Sequence, residues 1–243
     1  MSEPGDSTAE RLRATQARVA AAAARAGRAE REIALVGVSK RVAPEEIARA
    51  VAAGLADVGE SYLAEAKDKQ PALAALLAER GLAPPRRHFV GRLQRNKARA
   101  VAESFDCLHS LDRTELCDAL GRHASAAGRT LDVLVQVNLA GEPQKGGCAP
   151  EAVAPLLRAC RRWPALRAVG LMTIPPADED PERARPHFRA LRELCEELRR
   201  TPEGAGLREL SMGMSADFEV AIEEGATIIR VGTAIFGSRG ELA

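Results

Sequence analysis

Residues 33–46 read IALVGVSKRVAPEE, a short apolar run followed by a helix start. The run over 33–38 has the length and composition of a buried β-strand. Pro44 then stands at the first position of a segment with acidic residues in its first turn, which is typical of a helix N-terminus. A strand followed at once by a helix is the unit from which parallel α/β folds are built.

The same unit recurs along the chain. We place eight strands over residues 33–38, 56–59, 87–91, 107–111, 131–139, 168–174, 207–212 and 227–232, with amphipathic segments between them. Parallel neighbours need a long crossover, and about eight strand–helix units close into a barrel. The sequence therefore predicts an α/β fold, a (β/α)8 TIM barrel formed as a single domain over residues 1–243.

An additional helix precedes the first strand. Ser7 and Glu10 have the spacing of a capping box, an Ala-rich segment follows, and Gly27 stands where a C-terminal cap belongs. A later helix begins at Pro181, and Pro186 inside it is expected to delay its start or to kink it.

Charge and cysteine usage exclude several classes of protein. The 35 Lys and Arg nearly balance the 34 Asp and Glu, so a net charge of +1 creates no field toward nucleic acid or anionic membrane. No apolar run approaches the length that crosses a bilayer. The five cysteines show no C-x-x-C spacing or metal-ligand pattern and indicate reduced thiols in a cytoplasmic protein.

Lys40 is the first candidate for chemistry, because barrel proteins place their sites at the carboxyl ends of strands. Alternation along the strand puts Lys40 on the same side as Val36 and Val38. If that side faces the barrel interior, apolar surroundings favour the neutral, nucleophilic form of the amine. An aldehyde cofactor requires such an amine. A lysine that has left the strand and entered solvent is the competing interpretation of position alone.

Two segments near the end of the chain form the second candidate. SMGMS covers residues 211–215 after the seventh strand, and RVGTAIFG covers residues 230–237 at the eighth. Small residues let backbone amides approach an anion, and Ser215 and Thr233 add hydroxyl donors. The loops after the last two strands of a barrel commonly bind phosphate. We therefore predict a phosphate site there.

Several motifs occur in order along residues 33–239: VGVSK (36–40), GESY (59–62), HFVGRLQRNK (88–97), VNL (137–139) leading to KG (145–146), GLMTIP (170–175) and the two C-terminal segments. Together they resemble the pyridoxal phosphate homeostasis protein family, whose barrel is similar to the N-terminal domain of alanine racemase. The resemblance implies that Lys40 forms a Schiff base with pyridoxal 5′-phosphate. It further implies that Ser215, Gly232 and Thr233 hold the phosphate. Arg230 is implied to face the pyridine nitrogen.

The resemblance also places Ser61 and Met212 at the cofactor. Ser61 stands where the family usually has asparagine and offers a shorter hydroxyl. Because arginine only donates and stays protonated, a ring nitrogen beside Arg230 remains unprotonated. A neutral ring is a weak electron sink, which suits storage or delivery of the cofactor better than rapid amino-acid chemistry.

The resemblance thus implies a carrier of pyridoxal phosphate, without efficient turnover, that contacts apo-enzymes transiently. An amino-acid racemase is the alternative, but it requires an acid or base opposite the lysine. Alanine racemase takes that group from a further domain of a partner subunit. This chain ends without such a domain, and we therefore expect a monomer. Tyr62 is expected to pack against the cofactor, and a structural role is the favoured interpretation of His109.

Lys145 lies in the loop after the fifth strand, and we hypothesise that it receives or relays the aldehyde from Lys40 during transfer. A Schiff-base aldolase would use the same lysine and phosphate site. A nucleic-acid binder is suggested by the basic run over residues 86–99. An aromatic content of 3% argues against the nucleic-acid interpretation, because single strands stack on aromatic side chains.

Overall fold

Eight parallel strands close into a barrel in the computed structural model, which describes residues 7–142 and 146–237. The strands are β1 (Ala34–Val38), β2 (Asp57–Glu60), β3 (Arg86–Phe89), β4 (Cys107–Leu111), β5 (Leu131–Gln136), β6 (Leu166–Met172), β7 (Glu209–Ser211) and β8 (Ile228–Val231). Neighbours in the barrel follow the order of the chain, and β8 pairs with β1. The predicted (β/α)8 barrel is confirmed.

Helices surround the barrel and alternate with its strands. They are α1 (Thr8–Arg25), α2 (Pro44–Ala52), α3 (Leu63–Glu79), α4 (Ala98–Ser104), α5 (Thr114–Ala126), α6 (Val153–Cys160), α7 (Arg185–Arg199), α8 (Phe218–Glu223) and α9 (Thr233–Phe236). In the part of the chain that the structure describes, no helix is both long enough and apolar enough to span a bilayer.

The additional helix α1 begins as the sequence predicts. The backbone N–H of Ser7 donates to the Glu10 carboxylate at 2.7 Å, and the Ser7 hydroxyl accepts from the Glu10 backbone N–H at 3.3 Å. The helix packs against α8 and α9, and the Arg11 Nε donates to the Ile235 carbonyl at 2.9 Å. α1 therefore covers the barrel beside its last strand.

Two features of the helix and strand ends follow from local chemistry. A 3-10 turn over Pro181–Ala184 precedes α7, so Pro186 is the second residue of that helix, where its missing N–H costs no hydrogen bond. The predicted delay in the start of the helix is confirmed.

β5 is shorter than predicted because its ladder with β6 ends at Gln136, after which Val137 makes only an isolated bridge.

The side chains form two apolar layers. One lies between the sheet and the helices and holds most of the buried residues. The other lies inside the barrel and is formed by five residues from five strands, namely Val36, Cys107, Leu134, Met172 and Ile228. Val36 therefore faces the barrel interior, as the sequence interpretation of β1 required.

Candidate functional site

Lys40 lies in the turn that follows β1, at the carboxyl end of the barrel. The ladder between β1 and β2 ends at Val38, so Lys40 stands beyond the edge of the sheet and is exposed. The prediction of apolar surroundings for its amine is therefore wrong. Alternation along a strand fixes the side on which a residue lies, but not how far beyond the sheet edge it stands.

The turn that carries Lys40 is held by the next residue. Arg41 has a φ of 60°, and among the described residues it is the only non-glycine with a positive φ. Its backbone N–H donates to the carboxylate of Glu65 in α3. A non-glycine residue in this left-handed region costs about 1–2 kcal/mol, so the contact with α3 stabilises a conformation that the chain would not adopt freely.

A buried ion pair fixes the end of β1 just before Lys40. The Nζ of Lys69 lies 2.8 Å from Oε1 of Glu60, and the two side chains are 9% and 8% exposed. Lys69 also donates to the carbonyl of Ser39 at 2.6 Å, and the Ser39 hydroxyl donates to Glu60 at 2.7 Å. Because Ser39 precedes Lys40, this cluster sets the point from which the Lys40 turn departs.

The electrostatics of the ion pair are asymmetric. Burial raises the pKa of the Glu60 carboxyl, and the neighbouring Lys69 ammonium opposes that rise. The second carboxylate oxygen of Glu60 is buried and has no hydrogen-bond partner in the described part of the chain. Lys69 could not be predicted from the sequence, because nothing in its spacing distinguishes it from the exposed Lys67 of the same helix.

The two C-terminal segments converge as predicted. The Ser215 hydroxyl accepts from the backbone N–H of Gly232 at 3.3 Å and from that of Ala234 at 3.4 Å. A Cβ at Gly232 would lie 3.3 Å from the carbonyl oxygen of Val38, at the end of β1. Glycine thus allows the loop after β8 to lie close to the strand that leads to Lys40. Thr233 is exposed at the same end of the barrel.

Arg230 is buried in the barrel interior, with 5% of its surface exposed. Its Nη1 donates to the Ser211 hydroxyl at 2.6 Å and its Nη2 to the Thr173 carbonyl at 3.0 Å. Burial lowers the pKa of the guanidinium to about 10, while the charge of Asp217 opposes the shift. The group therefore remains a cation at neutral pH and presents only donors.

Ser61 and Tyr62 border a separate opening at the carboxyl end of β2. This cleft has a volume of about 900 Å³ and is also lined by Arg92 and Lys97, while Lys40 is not among its lining residues. Ser61 is half-buried. A Cβ added at Gly91 would lie only 2.0 Å from the carbonyl oxygen of Ser61. The predicted contact of Ser61 with a cofactor stays a prediction.

Met212 and Lys145 are the other two residues that the sequence placed near the cofactor. Met212 is fully buried, and its backbone N–H donates to the Ile228 carbonyl at 3.1 Å. It supports the loop after β7, and its contact with a cofactor stays a prediction. Lys145 lies outside the described residues, so its role in transfer also stays a prediction.

Comparisons with known proteins agree with the fold and the motifs. Residues 11–240 match the family described as the alanine racemase N-terminal domain. A pyridoxal phosphate homeostasis protein of Aquifex aeolicus is 46% identical over 230 residues, which cover 95% of this chain and 97% of that protein. Its counterpart in Pseudomonas aeruginosa is 44% identical over 233 residues, which cover 95% of each chain.

A solved structure with PLP bound is also similar. It is that of PipY from Synechococcus elongatus, which is 34% identical and has a TM-score of 0.82. The match covers 95% of this chain and 100% of that chain. The extent of these matches, together with the closed eight-stranded barrel, leads to one conclusion: the chain belongs to the pyridoxal phosphate homeostasis protein family, whose barrel is that of the alanine racemase N-terminal domain.

Proposed function

We propose that this chain binds pyridoxal 5′-phosphate at the carboxyl end of the barrel and acts as a carrier in cofactor homeostasis and delivery. The observation that carries the proposal is the convergence of Ser215 and Gly232 beside the strand that leads to Lys40, with the buried cation of Arg230 in the same barrel. The PLP-bound structure of PipY supports this assignment.

The phosphate fits the cradle formed by the last two loops. The two amide contacts to the Ser215 hydroxyl, at 3.3 and 3.4 Å, are long for N–H···O hydrogen bonds. A phosphate oxygen would accept from the same donors more strongly, because hydrogen bonds to an anion are charge-assisted. Gly232 leaves space for the approach, and the exposed Thr233 hydroxyl adds a donor. We assign Ser215, Gly232 and Thr233 to the phosphate.

Lys40 and Arg230 are assigned to the two other functional groups of the cofactor. Pyridoxal phosphate supplies an aldehyde with which a primary amine condenses reversibly, and Lys40 is the amine that we assign to it. The exposure of Lys40 suits handover, because an acceptor amine can reach the same atom. Arg230 presents only donors, so a ring nitrogen beside it accepts a hydrogen bond and stays neutral.

A neutral ring stabilises a carbanion poorly, which supports a carrier without efficient turnover. Racemisation also requires an acid or base on each face of the substrate. Tyr62, the single tyrosine, is 53% exposed and borders a cleft that Lys40 does not line. His109 is fully buried inside the barrel. Neither arrangement favours the racemase alternative.

The cysteines and the basic residues bear on the location and the partners of the protein. All five cysteines are free thiols, which supports a reducing, cytoplasmic location. Part of the basic run is neutralised, since Arg86 pairs with Asp132 and Arg99 pairs with Glu103, and this does not favour a nucleic-acid partner. We propose transient contact with apo-enzymes and a monomeric state.

Absorbance spectra of the purified protein incubated with pyridoxal phosphate test the proposal. We expect a visible band and tight binding in the wild type and in Lys67→Ala, a control at another exposed lysine. Lys40→Ala should lose the band. A wild type that binds no cofactor would refute the proposal, and rapid Lys40-dependent racemisation of D- or L-amino acids would favour the racemase.

A further inference from the structure

Five polar side chains from five strands form a continuous hydrogen-bonded chain through the barrel interior. The Nη1 of Arg230 lies 2.6 Å from the Ser211 Oγ, and that oxygen lies 2.8 Å from Nδ1 of His109. The Nε2 of His109 lies 2.8 Å from Nδ1 of His88. The Nε2 of His88 lies 2.8 Å from Oδ1 of Asp57. Only Arg230 has a role in the proposed function.

The hydrogen-bonded chain crosses the barrel interior from the buried cation of Arg230 to a carboxylate at the amino end of the barrel. Ser211 and His109 are fully buried, and His88 is 1% exposed. Asp57 begins β2, and its side chain is 18% exposed. Solvent thus reaches the hydrogen-bonded chain at the carboxylate, while the histidines lie in a medium of low polarity where hydrogen bonds are electrostatically strong.

With both imidazoles neutral, the two ends determine the direction of every hydrogen bond between them. Arg230 can only donate, so the Ser211 oxygen accepts from it and gives its own hydrogen to Nδ1 of His109. His109 therefore carries its hydrogen on Nε2 and donates to Nδ1 of His88. His88 likewise carries its hydrogen on Nε2 and donates to the Asp57 carboxylate, which only accepts. Each neutral ring then has a hydrogen-bond partner at both nitrogens.

The surroundings of His109 agree with a neutral imidazole. Burial lowers the pKa of His109 well below its ordinary value, and nearby charges act in the same direction. All four donors point from the cation toward the anion, and hydrogen bonds aligned in this way polarise one another. The alignment connects the positive charge of Arg230 with the negative charge of Asp57 without direct contact between them.

A metal site is the competing interpretation. Ligand atoms of His88, Cys107 and His109 lie within 4.8 Å of one another. However, each nitrogen of the two rings already has a hydrogen-bond partner, and burial raises the pKa of the Cys107 thiol, which disfavours the thiolate that a metal would need. The hydrogen-bonded chain accounts for all four nitrogens.

We propose that His109 and His88 are positioning residues: acting through the Ser211 hydroxyl, they fix the Arg230 guanidinium in the orientation that faces the cofactor ring. They also connect the guanidinium to the Asp57 carboxylate. This inference rests on the proposed function. The described hydrogen-bond partners of Arg230 are two neutral oxygens, so its orientation depends on how firmly those oxygens are fixed. His109 fixes the Ser211 oxygen by accepting the hydrogen of that hydroxyl at Nδ1.

Replacement of His109 tests the proposal. His109→Leu removes both nitrogens, whereas His109→Gln retains one acceptor for Ser211 and one donor for His88. We expect His109→Leu to weaken cofactor binding about tenfold, roughly 1.4 kcal/mol, and to shift the absorbance maximum of the bound cofactor. His109→Gln should retain most of the wild-type affinity and a nearly unchanged absorbance maximum. A folded His109→Leu variant with unchanged affinity and spectrum would overturn the proposal, although the wild-type function would stand.

Two further measurements do not depend on the folding of that variant. In the cofactor-free wild type, nitrogen NMR shifts of His88 and His109 should show neutral rings protonated only at Nε2. A charged ring, an Nδ1-protonated ring or stoichiometric bound zinc would contradict the hydrogen-bonded chain.

Asp57→Asn keeps an acceptor for His88 but removes the charge, and we expect it to change cofactor affinity and the spectrum in the same direction as His109→Leu. No change in either would refute the link to Asp57.

If the wild type itself forms no coloured complex, the proposed function fails. The nitrogen shifts of the cofactor-free protein would still show whether the hydrogen-bonded chain exists. The two failures are thereby distinguished.

Discussion

The Oγ of Ser215 lies 3.3 Å from the backbone nitrogen of Gly232, so the loop after β7 and the loop after β8 meet at one point. These residues are separated by a complete helix and a strand, and the closed barrel brings them together. The same loop lies against the end of β1, where a Cβ at Gly232 would stand 3.3 Å from the Val38 carbonyl. The site therefore depends on the contact between the last strand and the first.

Ser215→Ala should weaken the binding of pyridoxal phosphate by roughly ten- to a hundredfold. The substitution removes a hydroxyl from the cradle, and a hydrogen bond to a charged group contributes about 1.5–3 kcal/mol. Titration followed by absorbance or fluorescence measures the effect. Met214→Ala, at the exposed neighbouring position, is the control and should bind normally. Equal affinity of the two variants would exclude Ser215 from the phosphate site.

Gly91→Ala should lower the free energy of unfolding by about 1–3 kcal/mol or more, as overpacking does. A Cβ at this position would lie 2.0 Å from the backbone carbonyl of Ser61, and backbone atoms cannot move aside as the end of a side chain can. Denaturant unfolding monitored by circular dichroism measures the change. Gly206→Ala is the matched control, since its Cβ would lie 3.6 Å from the Ala168 carbonyl. Equal stability of both variants would contradict the close approach.

Lys69→Met should destabilise the protein by about 3–5 kcal/mol at neutral pH, because it leaves the Glu60 carboxylate buried without its countercharge. The double variant Lys69→Met/Glu60→Gln should recover part of the loss. Chemical denaturation of both variants and the wild type provides the comparison. If the double variant were no more stable than Lys69→Met, the cost would have to come from packing.

The same pair predicts a pH dependence. Burial raises the pKa of Glu60 above its ordinary value of 4.5, so the contribution of this group to stability is fully present below that pH and is lost as the pH rises through the folded-state pKa. Without Lys69 the pKa of Glu60 rises further. The deficit of Lys69→Met should therefore be smaller at about pH 5 than at about pH 8. A deficit that does not vary with pH would be inconsistent with this account.

The thiols of the native protein should react slowly. Cys148 is the only half-buried cysteine, and burial raises its pKa to about 11, while the other four are buried. Since the thiolate is the reactive form, a thiol-specific chromogenic reagent should modify at most Cys148 at mildly alkaline pH. All five should react after unfolding. Rapid modification of several thiols in the folded protein would show that it opens readily.

Much of the fold was predictable because it is encoded locally. Each observed strand overlaps an apolar run in the sequence, and the Ser7 and Glu10 capping contacts form where their spacing indicated. The ends of strands were less predictable. β5 stops at Gln136 because its partner ladder ends there, which depends on a neighbour and not on the apolar residues that continue to 139.

The candidate site was predictable in part. The motifs located Lys40, Arg230 and the two segments that we assign to the phosphate, since each lies at or just after an apolar run. The surroundings of these residues were not predictable. The exposure of Lys40 follows from the length of the ladder that ends at Val38. The buried position of Lys69 follows from its contacts with Glu60 and with the Ser39 carbonyl.

The sequence by itself determined that eight strand–helix units would form a barrel, because local hydrophobic periodicity and helix caps do not depend on distant residues. Only the tertiary structure decided that His88 and His109 belong to one hydrogen-bonded chain with Asp57, Ser211 and Arg230. His109 and Ser211 are 102 residues apart in sequence, yet they share a hydrogen bond of 2.8 Å. Such a pair arises from barrel closure and register, which place inward-facing side chains of different strands within reach of one another.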